Sequence, residues 1–146
     1  MSAENSYSIR VKRENDLEFV FDLIRKKWLR LTPEEKVRQL YIKYLVEVKK
    51  YPLGWIQVEY GFGVNGQAKR ADIVIYKNSQ AFAVVECKAP SVPLTQLVAD
   101  QANEYQLSLG VSHIVLTNGR QALVFAQTSN SEDWQQLAEL PKCSSE

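Results

Sequence analysis

The chain is poor in the residues that most often announce a function. It holds one histidine, two cysteines and one methionine among 146 residues. A lone imidazole cannot build a typical zinc centre, so His113 reads as a structural residue. Cys87, in an apolar run, and Cys143, near the end, give no disulfide framework. Apolar runs fall far short of a membrane span and no signal-peptide pattern opens the chain, so the expected setting is a reducing cytoplasm with no membrane contact. Net charge is almost absent at +1, which removes overall charge as an argument for a nucleic-acid partner. There are no internal repeats and no low-complexity tracts.

What is present is an ordinary globular composition, 45% hydrophobic, in a length that suits a single domain over residues 1–146 with a sizeable core. The charge is unevenly placed. Residues 1–50 carry twelve Lys/Arg against eight Asp/Glu, and residues 51–146 carry six against nine. The basic half includes Arg10, Lys12, Arg13, the run Arg25-Lys26-Lys27 and Arg30. Such clusters permit phosphate contact and are as readily solvated surface.

Residues 8–21 read either as strands or as irregular approach segments, and 22–31 mix charge with an inward Trp28. Thr32-Pro33-Glu34-Glu35 is a helix start: Thr32 at the N-cap, Pro33 at the first helical position, and Glu35 as the reciprocal capping acid. Val37, Leu40, Tyr41, Tyr44, Leu45 and Val48 make the apolar stripe, and Lys49, Lys50 and Pro52 end the helix. Glu34 borders that stripe and is the better candidate to reach the sheet; its plainer reading is a first-turn acid favoured by the helix dipole.

Trp55–Tyr60 alternates as a strand and runs into Gly61-Phe62-Gly63-Val64-Asn65-Gly66, a letter-for-letter G-x-G-x-x-G. A dinucleotide site needs a helix immediately afterwards to receive the pyrophosphate. Here a β-branched segment follows, so the match is read as coincidence within a strand-to-strand loop.

The chain is organised around Lys69–Pro90. Ala71–Tyr76 and Ala81–Cys87 are β-branched and aromatic runs separated by the turn formers Lys77-Asn78-Ser79-Gln80, a hairpin signature. If the connection is the three residues Asn78 to Gln80, Asp72 falls opposite Glu86 with Lys88 on the same face; a slip of one residue puts the two acids on opposite faces. Carboxylates at the end of an apolar strand are costly unless partnered, and a divalent cation is one suitable partner. An exposed Glu-Lys pair on a solvent-facing edge is the plainer alternative.

Further on, Leu94, Leu97, Val98, Gln101, Ala102, Tyr105 and Leu109 repeat at helical spacing up to Gly110. Gln101 and Tyr105 fall inside the apolar stripe, satisfied locally or lining the Asp72/Glu86 site. Ser112–Thr117 and Gln121–Ala126 are strands joined by a turn at Asn118-Gly119-Arg120. Residues 132–140 read as a short helix carrying Trp134 and Leu137, and 141–146 as a tail.

The order helix, three strands, helix, two strands, with Asp72…Glu86-Cys87-Lys88, resembles the PD-(D/E)xK nuclease superfamily. More narrowly, residues 20–126 resemble the N-terminal domain of type I restriction enzyme R (HsdR-like) subunits in stand-alone form. The segments that carry the likeness are Ile24–Lys27 leading to Leu31–Gln39, then Arg70–Val74, Glu86–Lys88, Gln101-x-x-x-Tyr105 and Thr117-Asn118-Gly119. Ala71 stands where the superfamily's name places proline, and no Walker motif is present. The resemblance implies a three-layer α/β/α restriction-endonuclease-like core, with a mixed five-stranded sheet flanked by helices. It implies a Mg²⁺- or Mn²⁺-dependent endonuclease acting on DNA, with Glu34, Asp72 and Glu86 as metal ligands. Lys88 would position the attacking water, and Gln101 and Tyr105 would handle DNA. Separately encoded motor or specificity subunits are the implied partners. The competing expectation is a non-catalytic nucleic-acid- or partner-binding module on the same fold.

Overall fold

The computed structural model describes residues 7–64, 66–95, 109–127 and 133–143. It opens with three short strands, β1 (Arg10–Glu14), β2 (Leu17–Asp22) and β3 (Lys27–Arg30), in an antiparallel sheet of that order. Asn15 and Asp16, at φ +51° and +64°, make the β1–β2 turn, a left-handed pair that short polar side chains tolerate. The strand reading of 8–21 is therefore the one the chain adopts.

Helix α1 (Pro33–Glu47) starts where the sequence predicts. Thr32 Oγ1 accepts from the Glu35 N–H at 3.1 Å, and Pro33 occupies the first turn. The reciprocal half of the capping box is not made. The Thr32 N–H donates to the Arg30 carbonyl, and the Glu35 carboxylate accepts instead from Arg38 and Gln39. The buried stripe is also rotated from the expected one: Ile42 and Val46 are fully buried, while Leu40 and Val48 are about half exposed.

After a single 3₁₀ turn at Leu53–Trp55 come β4 (Ile56–Val64), β5 (Gln67–Lys77), β6 (Gln80–Cys87), β7 (His113–Thr117), β8 (Ala122–Gln127) and β9 (Trp134–Leu137). They form one six-stranded sheet in sequence order. Only β6 and β7 pair in parallel, so the sheet is mixed. Two expectations are corrected here. The glycine stretch from Gly61 is not a loop, because β4 and β5 continue pairing through it as far as Val64↔Gln67. The sheet has six strands rather than five, because residues 134–137 pair with β8 instead of forming a helix. A nine-residue helix is marginal by itself, whereas a strand on the open edge of β8 gains a full set of backbone partners at once.

Helix α1 covers one face of the sheet: Val37, Ile42 and Leu45 pack with Ile73, Ile75, Val85 and Val115. The opposite face carries a second buried cluster of Val74, Val84, Ile114 and Leu116, with Leu94 and Leu109 against it. The expected helix between those two leucines lies, apart from its ends, outside the described residues. Leu109 is helical and Gly110 turns out of it at φ +70°, as a helix C-terminus requires. Among the described residues no helix is long and apolar enough to cross a membrane.

The β7–β8 turn is held by Asn118, whose Oδ1 accepts from the N–H groups of Arg120 and Gln121. Gly119, at φ +87°, lies under α1, where a Cβ would come within 3.1 Å of a Val37 methyl. Both conformation and close approach call for glycine.

His113 stacks beside Phe82 with ring centroids 4.6 Å apart, and Ser112 Oγ lies 2.8 Å from its Nδ1. Burial, helped by the charge of Lys77, holds its pKa below the ordinary 6.5. The unfolded chain therefore takes up the proton first, and stability present above the unfolded pKa is lost as pH falls. Urea midpoints measured from about pH 8 down to about pH 5 are expected to drop on the acid side, and His113→Phe is expected to shrink that drop.

Candidate functional site

The central hairpin reaches the anticipated register by an unanticipated route. Its turn is two residues, Asn78 and Ser79, at φ +54° and +66°, closing on the pair Lys77↔Gln80. That turn alone would put the acids out of phase. A bulge intervenes: Tyr76 pairs with Ala81 and Ile75 with Ala83, leaving Phe82 as the extra residue. The next pairs are Val74↔Val84 and Ile73↔Val85, and continuing them sets Asp72 opposite Glu86.

Asp72 is irregular on its other side as well. The β4–β5 partners step from Val58↔Ile73 to Tyr60↔Ala71, and between them Glu59 adopts φ +53°. A non-glycine residue there carries a strain of about 1–2 kcal/mol. Glu59 is held by ion pairs to Arg38 at 3.1 Å and Arg70 at 2.9 Å. Asp72 Oδ2 accepts from the Cys87 N–H at 2.7 Å, which fixes its carboxylate against the end of β6. Lys88 Nζ lies 3.4 Å from Glu86 Oε2, and the Lys88 N–H donates to the Thr117 carbonyl at 2.8 Å. Asn118 Nδ2 then ties the Val92 carbonyl, so the β7–β8 turn braces the segment that follows Lys88.

Burial raises the Asp72 pKa above its ordinary value; the Cys87 N–H, Arg38, a hydrogen bond with Glu86 and the Lys88 charge all oppose that rise without cancelling it. Glu34 is also raised, by desolvation and then by the Asp72 charge, with Lys88 and Arg38 opposing. Glu34, Asp72, Glu86 and Lys88 thus share one electrostatic neighbourhood. Cys87 is buried and its thiol is pushed well above the usual range by desolvation and by Asp72, so it is no nucleophile.

Gln101 and Tyr105 lie outside the described residues. Among the described residues, no group of three or more His, Cys, Asp or Glu side chains is gathered as a metal cage, and Glu34 is exposed. That arrangement still suits Mg²⁺, which is usually held by one or two carboxylates together with substrate phosphate oxygens. The donors are hard oxygens, the kind that Mg²⁺ takes.

Reading the sequence alone misses the cationic side of this site. Arg38, on α1, has only 9% of its side chain exposed. It donates through Nη2 to Glu35 at 2.5 Å and to Glu59 at 3.1 Å, and through Nε to Glu35 at 3.1 Å. Its Nη1 approaches Asp72 Oδ1 at 3.9 Å and makes no hydrogen bond. Burial works against its charge, but the Glu35 hydrogen bonds and the charges of Glu35, Asp72 and Glu59 outweigh burial, and the guanidinium is held more firmly protonated than usual. Arg25 extends the network: it binds the wholly buried Asp22 at 2.8 Å and lies 3.5 Å from Glu35 and 3.6 Å from Glu59. The available signal was the spacing Glu35–Arg38, three residues apart on one helix face.

A separate cleft of about 360 Å³ lies between the outer side of α1 (Leu40, Tyr41, Tyr44) and the β8–β9 edge (Ala122, Leu140). None of its lining residues belongs to the charged cluster.

A mixed sheet with its acids on one irregular hairpin, a lysine two residues beyond the second acid and a helix bringing a further acid is the arrangement typical of the PD-(D/E)xK fold. Residues 33–141 match the family described as type I restriction enzyme R protein N terminus (HSDR_N), and the chain belongs to that family. It is similar to the fragment structure of a protein assigned as an HsdR subunit of a type I restriction enzyme from Vibrio vulnificus. That match has 26% identity and a TM-score of 0.54, and covers 75% of this chain and 23% of the other. The chain therefore spans about a quarter of that relative's length. No curated protein matches it.

Breaking a buried ion pair by removing one partner typically costs about 3–5 kcal/mol. Arg38→Met is expected to lower unfolding free energy by about that much in urea titration, because Glu35 loses its bidentate partner. Adding Glu35→Gln to Arg38→Met is expected to recover part of the loss.

Proposed function

We propose that this domain is a divalent-metal-dependent endonuclease that hydrolyses DNA phosphodiester bonds. The observation that carries the reading is the β5–β6 register, whose pair Ile73↔Val85 leads on to Asp72 and Glu86, with Lys88 3.4 Å from Glu86. In this reading Asp72 and Glu86 hold Mg²⁺ or Mn²⁺, with Glu34 as a further carboxylate. When bound, the cation supplies charge neutralisation at the phosphate and a more acidic water. Lys88 holds the attacking water and offsets charge developing on the phosphoryl oxygens. Arg38 adds a fixed positive charge beside Asp72 that needs no reorganisation during the reaction. Gln101 and Tyr105 act on the DNA in this reading, and the core is the three-layer α/β/α one the resemblance implies. Motor and specificity functions belong to separately encoded subunits of a type I restriction system.

A non-catalytic binding module on the same fold is the second reading, which the uneven charge, twelve Lys/Arg against eight Asp/Glu in residues 1–50, also permits. Calorimetric titration with Mn²⁺ and nicking of supercoiled plasmid, done on the native protein and on Asp72→Ala, separate the two. Metal binding and nicking lost together in the variant support the enzyme; salt-sensitive DNA binding with no nicking by the native protein supports the module. Lys88→Ala is expected to slow nicking by about 100-fold or more while retaining metal binding, and cleavage equal to native would sink the assignment of Lys88.

The pKa directions give two further expectations. Protonation competes with metal at a higher pH than an ordinary carboxylate would allow, so Mn²⁺ affinity weakens earlier as pH falls. A carboxylate whose folded pKa is raised also destabilises the metal-free fold as pH rises. Asp72→Asn is therefore expected to raise the metal-free melting temperature at neutral pH, read by calorimetry, with the gain vanishing as pH falls through the folded pKa.

A further inference from the structure

The β1–β3 sheet has two unlike faces. One is turned into the molecule, with Val20 and Asp22 fully buried. The other alternates rings and cations in two rows set by the strand register: Arg10, Phe21 and Trp28 in the first, and Lys12, Phe19 and Arg30 in the second. Phe21 and Trp28 meet edge to face with centroids 5.3 Å apart. The Arg10 guanidinium lies 4.9 Å from the Phe21 ring centre, and Lys12 Nζ lies 4.4 Å from that of Trp28. All three rings are partly exposed. Among the described residues of these strands, Glu14, 3.2 Å from Lys12, is the acid on this face.

We propose that this face binds a single strand of DNA, with bases stacking on Phe19, Phe21 and Trp28 and phosphates taken by Arg10, Lys12 and Arg30. The choice of DNA rests on the endonuclease reading above. Unpaired bases present π-faces to aromatic side chains, and a cationic track follows the backbone between them; that pairing of chemistries is what single-strand platforms use. A duplex keeps its base faces stacked inside and leaves the rings without a partner. An acidic peptide would satisfy the cations and supply nothing for the rings. With no ligand, the cations rest over the rings they flank, and binding moves them outward to phosphate. The sheet is also tied to the candidate site: Arg25, in the β2–β3 turn, pairs with Asp22 at the end of β2 and with Glu35 and Glu59.

The test uses the full chain with Asp72→Ala and with Trp28 as its single tryptophan (Trp55→Phe, Trp134→Phe), in chelator, so that cleavage plays no part. Titration with an oligothymidine of about 12 nucleotides, within usual site sizes, is expected to quench Trp28 and to weaken as salt rises. Phe19→Ala is expected to lower affinity roughly tenfold, the loss of about one stacked base. Arg10→Ala with Lys12→Ala is expected to flatten the salt dependence. Circular-dichroism melts confirm that each variant is folded, and labelled-oligonucleotide anisotropy repeats the affinities without the tryptophan changes. Absence of quenching at low salt, affinities unchanged in folded variants, or tighter binding of duplex DNA, RNA, an acidic peptide or anionic vesicles overturns the proposal. Quenching by a native protein that never nicks plasmid leaves the face assigned and removes the endonuclease reading; nicking without quenching does the reverse.

Discussion

A guanidinium nine-tenths withdrawn from water has to be surrounded by anions, and the architecture around Arg38 follows from that requirement. Glu35 comes from the same helix, Glu59 from β4 and Asp72 from β5, so one side chain joins α1 to two strands. Such pairs seldom improve on a well-packed apolar core, since desolvation offsets most of their attraction. What they supply is position. Arg38 and Arg70 hold Glu59 in its left-handed conformation, and that irregularity is the interruption of the β4–β5 ladder at Asp72. The acid at the centre of the candidate site is thus placed by a network it belongs to.

The same network explains why Glu35 abandons its reciprocal capping contact. The Thr32 N–H has the Arg30 carbonyl as a partner, so nothing is left unsatisfied when the carboxylate turns inward to Arg38 and Gln39. Local signals assigned Glu35 a local job; partners three and four residues ahead and an arginine from the β2–β3 turn made a different job better. Removal of apolar surface from water drives the fold, but the buried charges decide which strand residues face the helix terminus.

Much of the fold was legible because its signals are periodic. The start of α1, the central hairpin, the β7–β8 hairpin and the stretch from Ala71 to Lys88 all follow from spacing and turn chemistry. The departures come from tertiary pairing. Residues 134–137 carry a helix-compatible pattern, yet the open edge of β8 offered better hydrogen bonding. The glycines from Gly61 read as a loop, yet two long strands paired straight through them. Asp72, Glu86 and Lys88 were legible because an apolar strand ending in charge is conspicuous. Arg38 and Arg25 were not, because a cation on a helix or in a basic run looks the same whether it is solvated or buried.

The bulge at Phe82 has a consequence for how this hairpin tolerates insertions and deletions. A strand keeps count only modulo two, so any change of one residue between Asp72 and Glu86 exchanges inside for outside. Here the two-residue turn contributes one such exchange and the extra residue at Phe82 contributes a second, and together they cancel. Lengthening the turn by one residue while deleting one at the bulge would preserve the facing acids; either change alone would turn them apart. The spacing between the acids can therefore be redistributed along the hairpin, provided its parity is kept.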